Sequence, residues 1–222
     1  GRPIGSFYGY VADGIFRTQD EVDNHVSQDG KAIGRIRYKN VYEEDGKNEI
    51  NAMDQTWIGN PFPDFSYGLN INLEYKNFDM SMFFQGVQGV DIVNSVKYQT
   101  DFWSVDDVNS NKGRRVLDAF HPVTNPDSDI PMLQNTNSNN EGRFSTYYVE
   151  DGSYLKVRNV QLGYTLPKST LSKLNIEKLR FYISGQNLFT IHSNKFTGVD
   201  PESPGFGYPI PMISTIGLNL TF

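Results

Sequence analysis

Apolar and polar side chains alternate without a break from 64 to 76, with Phe65, Tyr67, Leu69, Ile71, Leu73 and Tyr75 separated by polar residues or Gly. A period of two marks a β-strand with one apolar and one polar face. At roughly 3.3 Å per residue the run predicts a strand of about 40 Å, well beyond the usual length in a soluble sheet. Its aromatic residues gather near the ends, Phe65 and Tyr67 at one and Tyr75 at the other, with aliphatic residues between them. That distribution fits a strand whose apolar face meets lipid between two interfacial girdles.

Four more runs follow. After a tight link at Lys76 and Asn77, the second places Phe78, Met80, Met82, Phe84 and Gly86 on one face, which predicts a hairpin. The third, 153–166, has Val160, Leu162, Tyr164 and Leu166 in phase and Leu155 and Val157 out of phase, which predicts a bulge near Arg158 and Asn159. The fourth, 179–191, alternates at Leu179, Phe181 and Ile183 and then blurs between Gly185 and Phe189. The fifth, 212–222, gathers Met212, Ile216, Leu218, Leu220 and Phe222 on one face. Short connections at one end alternate with long polar stretches at 90–152 and 192–211, the second carrying four of the eleven prolines. In outer-membrane barrels short turns are periplasmic and long loops extracellular, so the last strand descends and residues 1–63 are read as an extracellular loop region preceding the strands. Pattern alone also fits a soluble β-sandwich, for instance a carbohydrate-binding surface module.

Composition narrows the choice. Aromatic residues make up 14% of the 222, with 13 Tyr, 15 Phe and 20 Gly, a mixture that favours strands and turns. No run of apolar residues is long enough for a spanning helix. The absence of Cys removes disulfides, thiolate metal sites and cysteine nucleophiles. A net charge of -6 argues against nucleic acid as a partner. The chain opens at Gly1 with neither an initiator Met nor a basic-then-apolar leader, which reads as a mature chain or a fragment. No catalytic residues are found and the chain is read as a non-enzyme. His25, His121 and His192 lie far apart, and Asp106 and Asp107 lack the separation across a substrate that a glycosidase pair needs. Phosphate-cradling and dinucleotide fingerprints are also missing.

Several blocks resemble the C-terminal part of the SusC/RagA family of TonB-linked outer-membrane transporters. They are Gly5-Ser-Phe-Tyr-Gly-Tyr10, Asp13-Gly-Ile-Phe16, Ile58-Gly-Asn-Pro-Phe-Pro-Asp-Phe-Ser-Tyr-Gly68 and Phe83-Phe-Gln-Gly-Val-Gln-Gly89. They continue with Tyr147-Tyr-Val-Glu-Asp-Gly-Ser-Tyr-Leu155, Asn159-Val-Gln-Leu-Gly-Tyr164, Ser184-Gly-Gln-Asn-Leu-Phe189 and Gly198-Val-Asp-Pro-Glu202. Thr215, Gly217, Leu220 and Phe222 resemble the assembly signal of outer-membrane barrels, an edge strand read by the assembly machinery. The resemblance implies an all-β fold, here about five C-terminal antiparallel strands of a large transmembrane β-barrel with long extracellular loops, embedded in the lipid bilayer of a Gram-negative outer membrane. Five strands leave two open edges, which a bilayer does not tolerate, so the remainder of the barrel and its plug are expected as partners. A SusD-like lipoprotein lid and the TonB complex, reached through the missing N-terminal part, complete the expected partners. The implied function is active import of nutrient oligomers, oligosaccharides first.

Candidate substrate or lid contacts in the long loop are Phe102, Trp103, Arg114, Arg115 and Phe120, which equally fit packing of the loop against itself, the commoner use of buried aromatics. Asn70, Asn72 and Glu74 are expected to line the channel or touch the plug. The family also carries a calcium-like loop, whose ligand positions fall here on Glu43, Asp45, Lys47 and Asp54. Calcium needs six to eight oxygen ligands, and an ammonium at Lys47 offers none, so no cofactor is expected and a metal-free turn is the favoured reading.

Overall fold

A computed structural model gives the fold, and it describes residues 1–43, 46, 48–102, 111–134, 140–171 and 176–222. The strands in chain order are β1 Phe7–Gly9, β2 Ala12–Ile15, β3 Ile36–Tyr38, β4 Thr56–Gly59, β5 Phe65–Tyr75, β6 Phe78–Gln88, β7 Asp91–Val93, β8 Val149–Asp151, β9 Tyr154–Thr165, β10 Lys178–His192 and β11 Ile213–Thr221. Among the described residues three short α-helices, α1 Gln19–Asn24, α2 Ser95–Thr100 and α3 Lys168–Leu171, lie between them. The five long strands form one antiparallel sheet in the order β11-β10-β9-β6-β5, so each long strand lies beside its neighbour in sequence.

Register shows why the alternation is strict. Directly opposed residues share a face, and the pairing lines up Tyr75, Phe78, Tyr164, Phe181 and Leu218 in one row. Leu73, Met80, Leu162, Ile183 and Ile216 form the next row. At Arg158 the ladder against β6 slips, since Asn159 pairs with Phe83 while Val157 pairs with Phe84; against β10, Gln186 pairs with Asn159 and Phe189 with Val157, so there the extra residue lies on β10. The bulge lies where the phase break predicts it, and the extra residue on β9 returns Leu155 and Val157 to the face that holds Val160 and Leu162. On β10 the blurred stretch takes up the same slip with Asn187 at a left-handed φ of 51°.

Among the described residues nothing covers that apolar face. Tyr75 is 70% exposed, Leu73 54% and Ile216 86%, and Phe65, Tyr67 and Leu69 are also exposed, with Ile71 half-buried. Burying each large side chain would contribute about 1.5–3 kcal/mol in water. A soluble sandwich would lay a second sheet here, and among the described residues the remaining sheets are two-stranded and made of strands of three or four residues. The sandwich alternative is therefore not the fold.

The hydrophobic core lies instead among the long connections, in residues read from sequence as loop. Strand β1 pairs with β4, β2 with β3, and β7 with β8. The β7–β8 pair carries the β6–β9 hairpin past the break at Gly89, whose φ is 72°. Ile36, Tyr38, Phe102 and Tyr148 pack together, with Tyr10, Ala12, Ile50, Val93 and Tyr147 against them. Backbone bonds from Tyr10 to Phe144 (2.9 Å) and from Thr146 to Tyr10 (3.0 Å) tie residues 1–63 to the 90–152 connection. An ion pair from Arg35 to Glu141 (2.7 Å) is buried inside this layer. All long connections leave the same end of the sheet, and the short links lie at the other.

Candidate functional site

The polar face of the sheet is built by the residues that alternate with the apolar rows. Asp79, Gly163, Tyr182 and Gly217 share one row, and Ser81, Gln161, Ser184 and Thr215 the next. Across the first of these, the Arg180 guanidinium reaches over β9 to Asp79, with Nε 2.8 Å from Oδ1. Only a residue without a Cβ fits beneath it, because a Cβ on Gly163 would stand 2.4 Å from the guanidinium. Gly217 does the same for the Tyr182 ring, which would lie 2.4 Å from a Cβ there. A polar recess of about 540 Å³ at the short-link end is lined by Glu74, Lys76, Asp79, Gln161 and Arg180 among others.

The second concavity is a cleft of about 330 Å³ in the loop layer, where β2, α2, β8 and residues 195–197 meet. Helix α2 starts at Asn94, whose side chain accepts from the Lys97 amide, and the turn points Lys97 toward β8. Its ammonium donates to the Tyr147 carbonyl (2.5 Å) and the Glu150 carboxylate (3.3 Å) and sits 3.9 Å from the centre of the Tyr147 ring. Glu150 also accepts from Asn94 (3.0 Å) and from the Thr197 amide (2.9 Å) and hydroxyl (2.7 Å). Burial pushes the Glu150 carboxyl up, but the Thr197, Lys97 and Asn94 contacts outweigh it and hold the group below the usual carboxylate range. Arg115 pairs with Asp101 at 2.5 Å, and Tyr147 donates to the same carboxylate at 2.6 Å. Burial dominates at Asp101 and raises its pKa despite both partners. The cleft thus offers cations held by carboxylates, an aromatic face and hydroxyls, a lining suited to a polar, uncharged or zwitterionic oligomer.

Of the residues expected to contact substrate, Arg115 lines this cleft. Arg114, its neighbour, is exposed, and Trp103 lies outside the described residues. Phe102 and Phe120 are packing positions, 4% and 2% exposed. Phe102 stacks on Tyr147 and Tyr148, and Phe120 lies under Arg17 and against Gly34. Lys97, Tyr147, Glu150, Lys195 and Thr197 were not singled out as contacts, although Tyr147 and Glu150 fall in one resemblance block. In the calcium-like loop, Asp45 and Lys47 lie outside the described residues. The buried Asp54 accepts the amides of Val41 (2.8 Å), Tyr42 (3.1 Å) and Asn51 (2.8 Å), and Glu43 is exposed. The Asp54 carboxylate thus caps a turn, and the described residues hold no cluster of three acidic or His ligands.

No protein-family model matches the chain. Over its whole length it is 34% identical to a 240-residue stretch, 22% of the total, of TonB-dependent receptor P3 of Formosa agariphila. It is 29% identical over 222 residues to the TonB-dependent receptor SusC of Bacteroides thetaiotaomicron, with 96% of this chain and 20% of the relative covered. Its backbone matches the structure of the RagAB peptide transporter with a TM-score of 0.73 and 24% identity, over 98% of this chain and 22% of that one. The chain belongs to the SusC/RagA-like TonB-dependent receptors. It spans 20% to 22% of the length of these two curated relatives. As part of a TonB-dependent receptor, the five-stranded sheet is a stretch of barrel wall. The loop layer crowns the end of the sheet from which the long connections leave.

Proposed function

We propose that this chain forms wall and loop layer of an outer-membrane importer that takes up nutrient oligomers, oligosaccharides first, with energy delivered by TonB. The observation that carries the reading is the uncovered apolar face, five strands wide, in a chain whose main hydrophobic cluster sits in the loop layer at one end of it. Such a face is stable against lipid and costly against water. Phe65, Tyr67, Leu69, Ile71, Leu73 and Tyr75 are the lipid-facing residues of β5. Thr215, Gly217, Leu220 and Phe222 on the outermost strand are read by the assembly machinery. The remaining strands and a plug close the channel, the polar recess around Arg180 faces that plug, and a SusD-like lipoprotein caps the loop layer.

Uptake of labelled oligosaccharides by cells carrying the full-length receptor tests this. Import that stops when TonB or the lipoprotein is removed is the expected result. Uptake that ignores both would overturn the reading, and uptake of peptides alone would move the cargo class. Arg115→Ala is expected to weaken cargo uptake about ten- to a hundredfold, since a lost hydrogen bond to a charged group costs about 1.5–3 kcal/mol, whereas Arg114→Ala should leave it unchanged.

A further inference from the structure

We propose that residues 197–202 form a fixed strap drawn onto the inner face of the wall, narrowing the channel beneath the loop layer, with Lys156 and Arg158 as its positioning residues. The inference rests on the barrel reading, which makes the polar face the inner one.

Lys156 stands on the polar face of β9, opposite Gln85 on β6 and Thr190 on β10. Its side chain is only 3% exposed, and a buried ammonium needs partners. It finds them outside the sheet: both Asp200 oxygens, at 2.7 and 2.9 Å, and Glu202 at 2.6 Å. The bulge adds a second cation, since the inserted Arg158 turns to Gln85 (2.8 Å) and also bonds Glu202. Tyr154, at the start of the same strand, donates its hydroxyl to Glu202 at 2.7 Å. Two cations on the wall thus meet two carboxylates from the connection, with no net charge left inside.

The other end of the segment is tied to the loop layer. Thr197 gives its amide and hydroxyl to Glu150, the carboxylate that also holds Asn94 and Lys97. Between the anchors the turn is braced by the Glu202 amide on Asp200 Oδ1 (2.9 Å) and by the Ser203 amide on the Asp200 carbonyl (2.9 Å). Beyond the second anchor the character changes, and Phe206 and Tyr208 stand exposed. The connection at 192–211 is therefore no free extracellular loop. Its middle dips to the inner wall, held by charge at one end and by a buried carboxylate at the other, and cargo passes beside it.

Double electron–electron resonance on the full-length receptor tests the strap, with nitroxides on cysteines placed at Val199 and at Ser184 of the inner wall. A single narrow distance distribution is expected, lost in the Lys156→Met, Arg158→Met variant and retained in Lys156→Arg. A broad distribution in the parent, or a narrow one unchanged by the double Met variant, would overturn the proposal. Heat-modifiable migration on gels reports whether the barrel is intact. Should the wall variant not assemble, Asp200→Asn with Glu202→Gln releases the strap from its own side and is read in the same way. Failure of the transporter reading is separate, since the parent itself would then lack a heat-modifiable barrel whatever the label distance.

Discussion

Lys156, Arg35 and Lys97 are cations withdrawn from water, and each sits where a carboxylate from a distant part of the chain arrives to meet it. A buried pair of this kind adds little net stability compared with an apolar pair, but breaking one side leaves an uncompensated charge and costs about 3–5 kcal/mol. Such residues fix which segments lie together more than they hold the fold up. Lys156→Met should therefore lower the temperature at which the assembled receptor loses its folded gel migration, by more than removal of the exposed Arg17–Asp129 pair does. Gly163→Val places methyl groups where the Arg180 guanidinium lies and should cost about 1–3 kcal/mol by overpacking, read in the same assay. Acid acts at the same scale. Burial raises Glu150 and Glu202, but their hydrogen bonds win and leave both below the usual range. Their stabilisation is complete above pH 4.5, the ordinary value, and is lost as pH falls through the lower folded values. Asp101, raised by burial, has the opposite sign and gains from protonation. Protease cleavage within 193–211 should thus stay slow at neutral pH and rise only in acid, once the pH has fallen below the ordinary glutamate value of 4.5.

Among the elements, the five long strands were legible residue by residue, because a half-exposed strand writes its two faces into every second position. Even the irregularity was legible: Leu155 and Val157 could share a face with Val160 and Leu162 only if one residue were inserted, and Arg158 is that residue. Deleting Arg158 should turn Leu155 and Val157 toward the inner face and sharply lower the yield of assembled receptor in outer-membrane fractions. The face assignment has its own test. Leu69→Arg, near the middle of β5, should cost about 2–4 kcal/mol against lipid, while Asn70→Arg, one residue on, should assemble normally. The strands β1, β2, β3, β4, β7 and β8 were not legible, since three or four residues carry too little period to stand out. Their partners are also remote, as with Phe7 and Gly59 or Val93 and Val149.

At the scale of the whole molecule, the chain has an inverted plan, with its oil inside at one end and outside along the wall. The sequence by itself determined the wall: strand number, order, the bulge, the apolar face and the end from which long connections leave. These follow from local alternation and from turn length, which need no knowledge of distant contacts. The family blocks were legible for the same reason, being contiguous. Only the tertiary structure decided what the loops do. Phe102 and Phe120 read from sequence either as candidate ligand contacts or as packing of the loop against itself, and only the fold shows them buried, because burial depends on what packs over a ring and not on the ring's neighbours in the chain. Asp54 falls at a ligand position of a calcium-like loop whose favoured reading is a metal-free turn, and only the fold shows its oxygens accepting three amides. The cleft brings Lys97, Arg115, Glu150 and Thr197 together from segments far apart in sequence, and the strap brings Asp200 and Glu202 to Lys156. Charge pairing acts through space with no period along the chain, so no pattern of residues announces it until the fold has placed the partners side by side.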